Sequence, residues 1–195
     1  MPKREPGSAD RPRVRDARRR ILEAAARVFT LQGFNATSVN ELGKAAKVSK
    51  RTLYLHFGSK DAVVLSYLDE SERSSPVQLL LARTELAPRA RLLEIFTTLV
   101  DRSNQLTVDP FVAAAVEFPD PNHPVHKATE AHAARFTAQL TELAKAAGAR
   151  HPERTGRQLA LLYMGASLQT SFDNSATVVD DAYAAAAAIL RDEID

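Results

Sequence analysis

Residues 37–60, TSVNELGKAAKVSKRTLYLHFGSK, constrain the fold more than any other stretch of the 195-residue chain. Thr37 or Ser38 can cap a short helix, and Ser38 with Glu41 three residues later has the spacing of a capping box. A second helix is predicted to begin at Ser49, only a few residues after the first one ends. Two short helices joined by so tight a corner indicate a helix-turn-helix.

The second of these helices has one apolar stripe and several polar faces. Leu53 and Phe57 lie four residues apart, so they share a face that is predicted to be buried. Hydrogen-bond donors occupy the other positions: Lys50, Arg51, Thr52, Tyr54 and His56. Such a helix suits the major groove of DNA. The alternative from the residues alone is a plain corner between two helices of a helical protein.

Residues 45–60, AAKVSKRTLYLHFGSK, resemble the helix-turn-helix of the TetR family of transcriptional regulators, and the resemblance extends to the helix before them. Two positions depart from the family pattern. Lys47 stands where the family favours glycine, and a left-handed backbone there would cost lysine about 1 kcal/mol. Arg51 stands where members often have a small residue. Its long donor is expected to change the DNA sequence that is bound.

The candidate DNA contacts follow from chemistry and from this resemblance: Thr37, Ser38, Ser49, Lys50, Arg51, Thr52, Tyr54, His56 and Lys60. Lys50, Arg51 and Thr52 are predicted to meet bases, because Arg and Lys donate to guanine and a threonine methyl can meet thymine. Helix N-termini attract phosphate, which favours phosphate contacts by Thr37 and Ser38. The resemblance implies that Lys60 contacts phosphate and that Tyr54 faces the DNA backbone or groove wall. His56 could serve in either place.

The charge distribution separates the N-terminal third from the rest of the chain. Residues 1–60 hold 14 Lys and Arg against 5 Asp and Glu, whereas residues 61–195 hold 12 against 19. The first part therefore carries a formal charge of +9 and the second −7, although the whole chain is only +2. Such segregation predicts a polyanionic partner for the N-terminal part alone.

An all-α fold with three parts is predicted. Residues 1–13 read as a flexible basic arm that either touches DNA or only solubilises the chain. Residues 14–74 form a three-helix DNA-binding domain, with an amphipathic helix over 14–32 ahead of the motif at 37–57 and a helix over 61–73 behind it. Residues 75–195 form a helical ligand-binding and dimerisation domain. Its helices are predicted over 88–106, 110–118, 124–147, 153–174 and 177–193.

The last two predicted helices are unusually apolar. Residues 159–168 are apolar nearly all round, and residues 183–190 are rich in alanine. This pattern predicts a homodimer through the last two helices, as the resemblance also implies. The alternative is an ordinary core pair in a monomer.

The resemblance also implies a small-molecule effector bound between helices of the C-terminal part. The aromatic residues considered as its lining are Phe96, Phe111, Phe118, Phe136 and Tyr163, although ordinary core is the simpler interpretation for most of them. His123, His126 and His132 do not have the spacing of a metal site, so no metal and no cofactor is predicted. His126 and Glu130 read more simply as a polar pair one helical turn apart.

The function predicted from these features is a ligand-responsive regulator, a repressor that binds a palindromic operator in double-stranded DNA as a homodimer. The chain has no cysteine, no apolar run long enough to span a bilayer and no secretory signal, which favours the cytoplasm. A helical enzyme or a protein-binding adaptor remains the alternative. Neither a nucleophile motif nor a metalloprotease or Walker motif supports an enzyme.

Overall fold

The computed structural model describes residues 10–99, 109–172 and 176–194, and these parts of the chain are helical, with no strand among them. The helices are α1 (Asp10–Gln32), α2 (Val39–Ala46), α3 (Lys50–Phe57), α4 (Lys60–Ser74), α5 (Pro76–Leu81), α6 (Pro88–Glu94), α7 (Pro110–Glu117), α8 (Pro124–Ala146), α9 (Pro152–Thr170) and α10 (Ala176–Ile194). A 3₁₀ segment, Ile95–Leu99, follows α6 directly. The predicted all-α fold is confirmed.

We call α1–α4 the head. Its core is built from one apolar stripe of each helix, including the fully buried Ile21, Leu42, Leu53 and Val64. Each of these four residues lies in a different helix, so the hydrophobic effect holds all four helices together. The head is thereby a packed unit that leaves the polar faces of α2 and α3 at the surface.

We call α5–α10 the body. Most of its buried apolar residues form a second core, centred on Leu92, Phe96, Leu140, Leu159 and Leu190. The remainder belong to the head, because α7 and the start of α8 insert their apolar side chains into the head core. Those side chains are Phe111, Ala114, Phe118 and Val125.

This packing corrects the predicted effector lining. Phe96, Phe136 and Tyr163 lie together in the body core, with ring centroids 5.3 Å apart for Phe136–Tyr163 and 5.8 Å for Phe96–Tyr163. Phe111 and Phe118 lie instead in the head core. Spacing along the chain could not reveal this, because the side chains of α7 pack among head residues that are distant in the sequence.

Three elements differ from the prediction: α1 in its start, the predicted helix over 88–106 in its type and length, and α5 in its presence. Helix α1 begins at Asp10 rather than near residue 14. Residues 1–9 of the predicted arm lie outside the described residues. The predicted helix over 88–106 is α6 followed by the 3₁₀ segment, and its remainder from residue 100 onward also lies outside them. Helix α5 was not predicted.

Two close contacts stiffen the C-terminal helices. A Cβ atom added at Gly156 of α9 would lie 2.8 Å from the Cα of Thr141 of α8, so the two backbones touch and only glycine fits. At the same N-terminal end of α9, the buried carboxylate of Glu193 in α10 accepts hydrogen bonds from the Arg154 side chain and from the His151 backbone N–H, the latter at 3.0 Å. Helix α9 is thus fastened on both sides.

Candidate nucleic-acid interface

Helix α2 begins with the predicted capping box. The Glu41 backbone N–H donates to Ser38 Oγ at 3.2 Å, and the Ser38 backbone N–H donates to Glu41 Oε2 at 2.7 Å. Hydrogen bonding of the Glu41 carboxyl group to the hydroxyl and the backbone N–H of Ser38 lowers its pKa. The reciprocal pair satisfies two N–H groups that would otherwise lack partners at the helix start. Ser38, and not Thr37, is therefore the cap.

The corner between α2 and α3 needs a special backbone. Lys47 has φ 55° and ψ 43°, so its backbone is in the left-handed conformation that favours the glycine of the family pattern. Gly43 of α2 lies against the Val48 carbonyl oxygen, which would be 3.0 Å from an added Cβ. Sequence reasoning overlooked Gly43. A glycine inside a short helix was the available signal, because glycine there lowers helix stability unless packing requires it.

Helix α3 is fixed to the head by its cap and by its apolar stripe. Ser49 Oγ accepts the Thr52 backbone N–H at 3.0 Å and lies 2.8 Å from Thr52 Oγ1, so these two hydroxyl groups are paired with each other. Leu53 is fully buried. Phe57 is half-buried, and the Arg18 guanidinium lies 5.2 Å from its ring centroid.

The outward face of α3 carries four exposed side chains: Lys50, Arg51, Tyr54 and Leu55. The Lys50 ammonium lies 5.9 Å from the Tyr54 ring centroid, so the two form one flank of the face. Leu55 is 81% exposed and lies four residues after Arg51, in the middle of that face. Leu55 was not among the predicted contacts, because its side chain has no hydrogen-bond donor.

The predicted phosphate contacts divide into surface and interior residues. Thr37 is fully buried, and its hydroxyl donates to the Gly33 carbonyl at 2.7 Å. This corrects its assignment, because a side chain with no exposed surface and a committed hydroxyl cannot reach a phosphate. Ser38 is exposed at the start of α2, and His56 is half-buried on α3. Lys60 lies at the start of α4 and donates to the Asn35 carbonyl at 3.2 Å.

A shallow hollow between α2 and α3 collects positive charge. Its lining includes three lysines, Lys44, Lys47 and Lys50, together with Asn40. Only Lys50 was among the predicted contacts. The excess of basic residues in the first sixty positions was the signal, but assigning single lysines required the relative orientation of the two helices.

The histidines of the body have separate partners. His123 Nε2 lies 3.5 Å from Asp61 Oδ2, and His132 Nδ1 lies 3.1 Å from Glu72 Oε1. His126 Nε2 is 3.9 Å from Glu130, and this is the pair expected one helical turn apart. Within the described ranges, no three His, Asp or Glu side chains are grouped as metal ligands would be.

Comparison with known proteins gives this geometry a family. The family model described as bacterial regulatory proteins of the tetR family matches residues 21–67, which include the whole helix-turn-helix. A TetR-family transcriptional regulator from Streptomyces coelicolor is 30% identical, with a TM-score of 0.83 over 93% of this chain and 97% of that one. The chain belongs to the TetR family.

Other relatives match this TetR-family chain over less sequence or at lower identity. The A-factor receptor protein of Streptomyces griseus is 38% identical over 69 residues, which are 32% of this chain and 25% of the receptor. A Bacillus subtilis regulator of the helix-turn-helix type matches over 19% of its own length. The chain thus matches about a quarter or less of these curated relatives. Reduced NemR of E. coli shares the fold, with a TM-score of 0.78 at 21% identity.

Membership of the TetR family decides between the function classes. The chain is a DNA-binding transcriptional regulator with a helix-turn-helix, and it is not an enzyme, because its family and relatives are regulators. The helical enzyme and the adaptor without DNA binding are thereby set aside. Across the described residues, no helix is both long and apolar enough to cross a membrane.

Proposed function

We propose that this TetR-family regulator is a repressor that binds a palindromic operator as a homodimer and leaves it when a small molecule binds the body. The observation that carries the proposal is the outward face of α3, where Lys50, Arg51, Tyr54 and Leu55 stand exposed on a head whose core is already complete. A helix that presents donors and one apolar side chain has the chemistry to read base edges.

Within the interface, the residues have different proposed roles. Lys50, Arg51 and Leu55 contact bases, since all three are exposed on α3 and the last two lie opposite the buried Leu53. Thr52 stays a candidate base contact through its methyl group, because its hydroxyl pairs with Ser49. Tyr54, His56, Ser38 and Lys60 contact the DNA backbone. The three lysines of the hollow add positive charge that holds the head on the duplex.

Dimerisation is proposed through α9 and α10. Along α9 and just beyond it, large apolar side chains are exposed: Leu161 (72%), Met164 (41%), Leu168 (40%) and Phe172 (71%). A row of this size on one helix marks an interaction surface. A second copy of the chain is the proposed occupant, because a two-fold pair of heads is what reading an inverted repeat requires.

The effector is proposed to bind among Phe96, Phe136 and Tyr163. Their rings already touch, so a ligand has to separate them and thereby move the 3₁₀ segment that carries Phe96 away from α8 and α9. Burial raises the pKa of Tyr163 to about 12, and its hydroxyl lies 3.3 Å from Thr98 Oγ1. An effector with an aromatic body and one polar group fits these side chains.

Selection of bound sequences from random double-stranded DNA tests the proposal. The purified chain should enrich an inverted repeat, and sedimentation should give the mass of a dimer. Enrichment of an asymmetric or single half-site by a monomer would contradict the homodimer on a palindrome. A library of small aromatic compounds, screened for release of the selected DNA, then tests the response to an effector.

A further inference from the structure

Glu117, the last residue of α7, holds the turn between α1 and α2, although α7 lies far from this turn in the sequence. Its carboxylate accepts the backbone N–H groups of Phe34 at 2.9 Å and Asn35 at 2.6 Å. The Asn35 side-chain amide donates back to the Glu117 carbonyl oxygen at 2.7 Å. Three hydrogen bonds thus join residues that are 82 or 83 positions apart in the chain.

The turn is shaped to receive this carboxylate. Gly33 has φ 82°, and a Cβ there would lie 2.7 Å from Glu117 Oε1, so a side chain would expel the carboxylate. The Phe34 ring packs beside Phe29 at 4.9 Å and beside Phe118 at 6.1 Å between centroids. Phe118 follows Glu117 directly. Polar and apolar contacts therefore fix the same turn to the same end of α7.

Helix energetics do not explain a glutamate at this position. The C-terminal end of a helix carries partial negative charge, so a carboxylate in the last turn is unfavourable there. The two N–H groups of the turn offset that repulsion, because charged acceptors form strong hydrogen bonds. The contact with the head thus accounts for the acidic residue at the end of α7.

The backbone of Asn35 connects Glu117 to Lys60. Its N–H donates to Glu117, and its carbonyl oxygen accepts Lys60 Nζ at 3.2 Å. The ammonium group has three N–H donors, so two are left for other acceptors. Lys60 also stands at the first position of α4, where a helix N-terminus attracts anions.

We propose that Glu117 is a positioning residue for DNA binding: it holds the 33–37 turn so that Asn35 aims the Lys60 ammonium at a phosphate. This inference rests on the proposed phosphate contact of Lys60. Because α7 is part of the body, displacement of α7 withdraws the support of a DNA contact without any movement of α3.

The sign of the effect separates positioning from simple electrostatics. Removing a negative charge near a DNA-binding surface strengthens binding to a polyanion if nothing else changes. Loss of positioning has the opposite effect, because Lys60 then has to be ordered during binding. Glu117→Gln removes the charge, keeps the side-chain size and retains one oxygen acceptor, so the fold survives.

The experiment measures the affinity of the full chain for its selected operator over a range of salt concentrations. Glu117→Gln is expected to bind about three- to tenfold more weakly than wild type. Lys60→Ala is expected to bind more weakly and to lower the slope of log affinity against log salt by about one. The double variant Glu117→Gln/Lys60→Ala should bind no more weakly than Lys60→Ala, since both changes act on one contact. Equal or tighter binding by Glu117→Gln, or additive losses in the double variant, overturns the proposal.

Controls separate this inference from the function on which it rests. Exposed Glu142 on α8 is the matched control, and Glu142→Gln should leave affinity unchanged or slightly raised. If Lys60→Ala binds like wild type, the phosphate contact is wrong; if only Glu117→Gln binds like wild type, the positioning role is wrong. Amide hydrogen exchange without DNA gives a second readout. It should accelerate at Phe34 and Asn35 in Glu117→Gln, and unchanged exchange also overturns the proposal.

Asn35→Ala supplies an independent variant of the same contact. It removes the bond to the Glu117 carbonyl but keeps both backbone N–H groups, so it should weaken DNA binding less than Glu117→Gln does. A larger loss in Asn35→Ala than in Glu117→Gln would place the effect on Asn35 itself and contradict the role of the carboxylate.

Discussion

At the scale of single residues, the lysine at position 47, where the family favours glycine, is expected to lower the free energy of unfolding. Its left-handed backbone strains any residue with a Cβ, and glycine would relieve that strain. Lys47→Gly is expected to raise the free energy of unfolding by about 0.5–1 kcal/mol, after the extra flexibility of glycine in the unfolded chain is subtracted. Chemical denaturation measures the difference.

The matched control for Lys47→Gly is three residues earlier. Lys44 is exposed in the regular part of α2, where glycine costs about 1 kcal/mol of helix stability. Lys44→Gly should therefore destabilise the head. If both variants change stability in the same direction, the strain at Lys47 is not what the substitution reports.

Leu55 gives a second test at this scale, because an apolar side chain in a groove distinguishes thymine by its methyl group. Replacing one thymine of the half-site by deoxyuridine removes that methyl alone, and wild type should lose about 0.8 kcal/mol of binding. Leu55→Ala should bind both DNAs equally. Competition titration with the two duplexes measures the difference.

Arg51→Ala serves as the contrast for Leu55→Ala. It should keep the preference for thymine over deoxyuridine and lose discrimination at a guanine, because guanidinium groups read guanine. Were wild type indifferent to the methyl at every thymine of the site, Leu55 would have no part in recognition.

At the scale of elements, local patterns and distant contacts differed sharply in how well they could be predicted. The capping box at Ser38 and the end of α8 near Gly148 were predicted, because caps depend on residues within one helical turn. The six-residue α5 was missed, since so short a helix has too few turns for a periodic pattern. The 3₁₀ segment was read as α-helix because both share one apolar face.

In the candidate site, too, local features were predicted and features that depend on distant residues were not. The exposed donors of α3 were predicted from an eight-residue pattern, and so was the burial of Leu53. The burial of Thr37 and the role of Glu117 were not, because both depend on residues brought together by tertiary folding. Glu117 lies more than eighty positions from the turn that it binds.

The fastening of α9 to α10 predicts a dependence on pH. The hydrogen bond from Arg154 lowers the pKa of Glu193 to about 2, against an ordinary 4.5. A carboxyl group with a lowered pKa stabilises the fold above its unfolded value, and this contribution is lost as the pH falls from about 4.5 to about 2. Glu193→Gln should lower the melting temperature at pH 7, and the difference from wild type should shrink through that window.

Calorimetry between pH 2 and pH 7 measures this convergence. Glu142→Gln on the exposed side of α8 should follow the wild-type curve throughout. A constant difference between Glu193→Gln and wild type at every pH would mean that the charge of Glu193 is not what fastens the two helices.

At the scale of the whole molecule, the exposed apolar side chains of α9 predict a dimer that a charge placed among them would destabilise. Leu161→Glu places a charge in the proposed interface and should weaken dimerisation by about 2 kcal/mol or more. Affinity for the palindrome should fall with it, while affinity for an isolated half-site should stay the same. Sedimentation equilibrium and gel-shift titration measure the two effects.

Leu79→Glu is the control for Leu161→Glu. Leu79 is 61% exposed on α5, away from α9, so a charge there should leave both the dimer and the DNA affinity unchanged. A dimer that survives Leu161→Glu would have to form through another face.

The contact at Gly156 limits how α8 and α9 can move relative to each other. Because their backbones touch there with no side chain between them, the two helices cannot slide or rotate past each other without collision. The two helices are therefore expected to move as one rigid unit, and the proposed partner surface lies on α9 within that unit. Binding of the proposed effector in the body is therefore expected to change the structure elsewhere, among the shorter helices between this rigid unit and the head. We expect the proposed contact between subunits to stay fixed while each head moves relative to it.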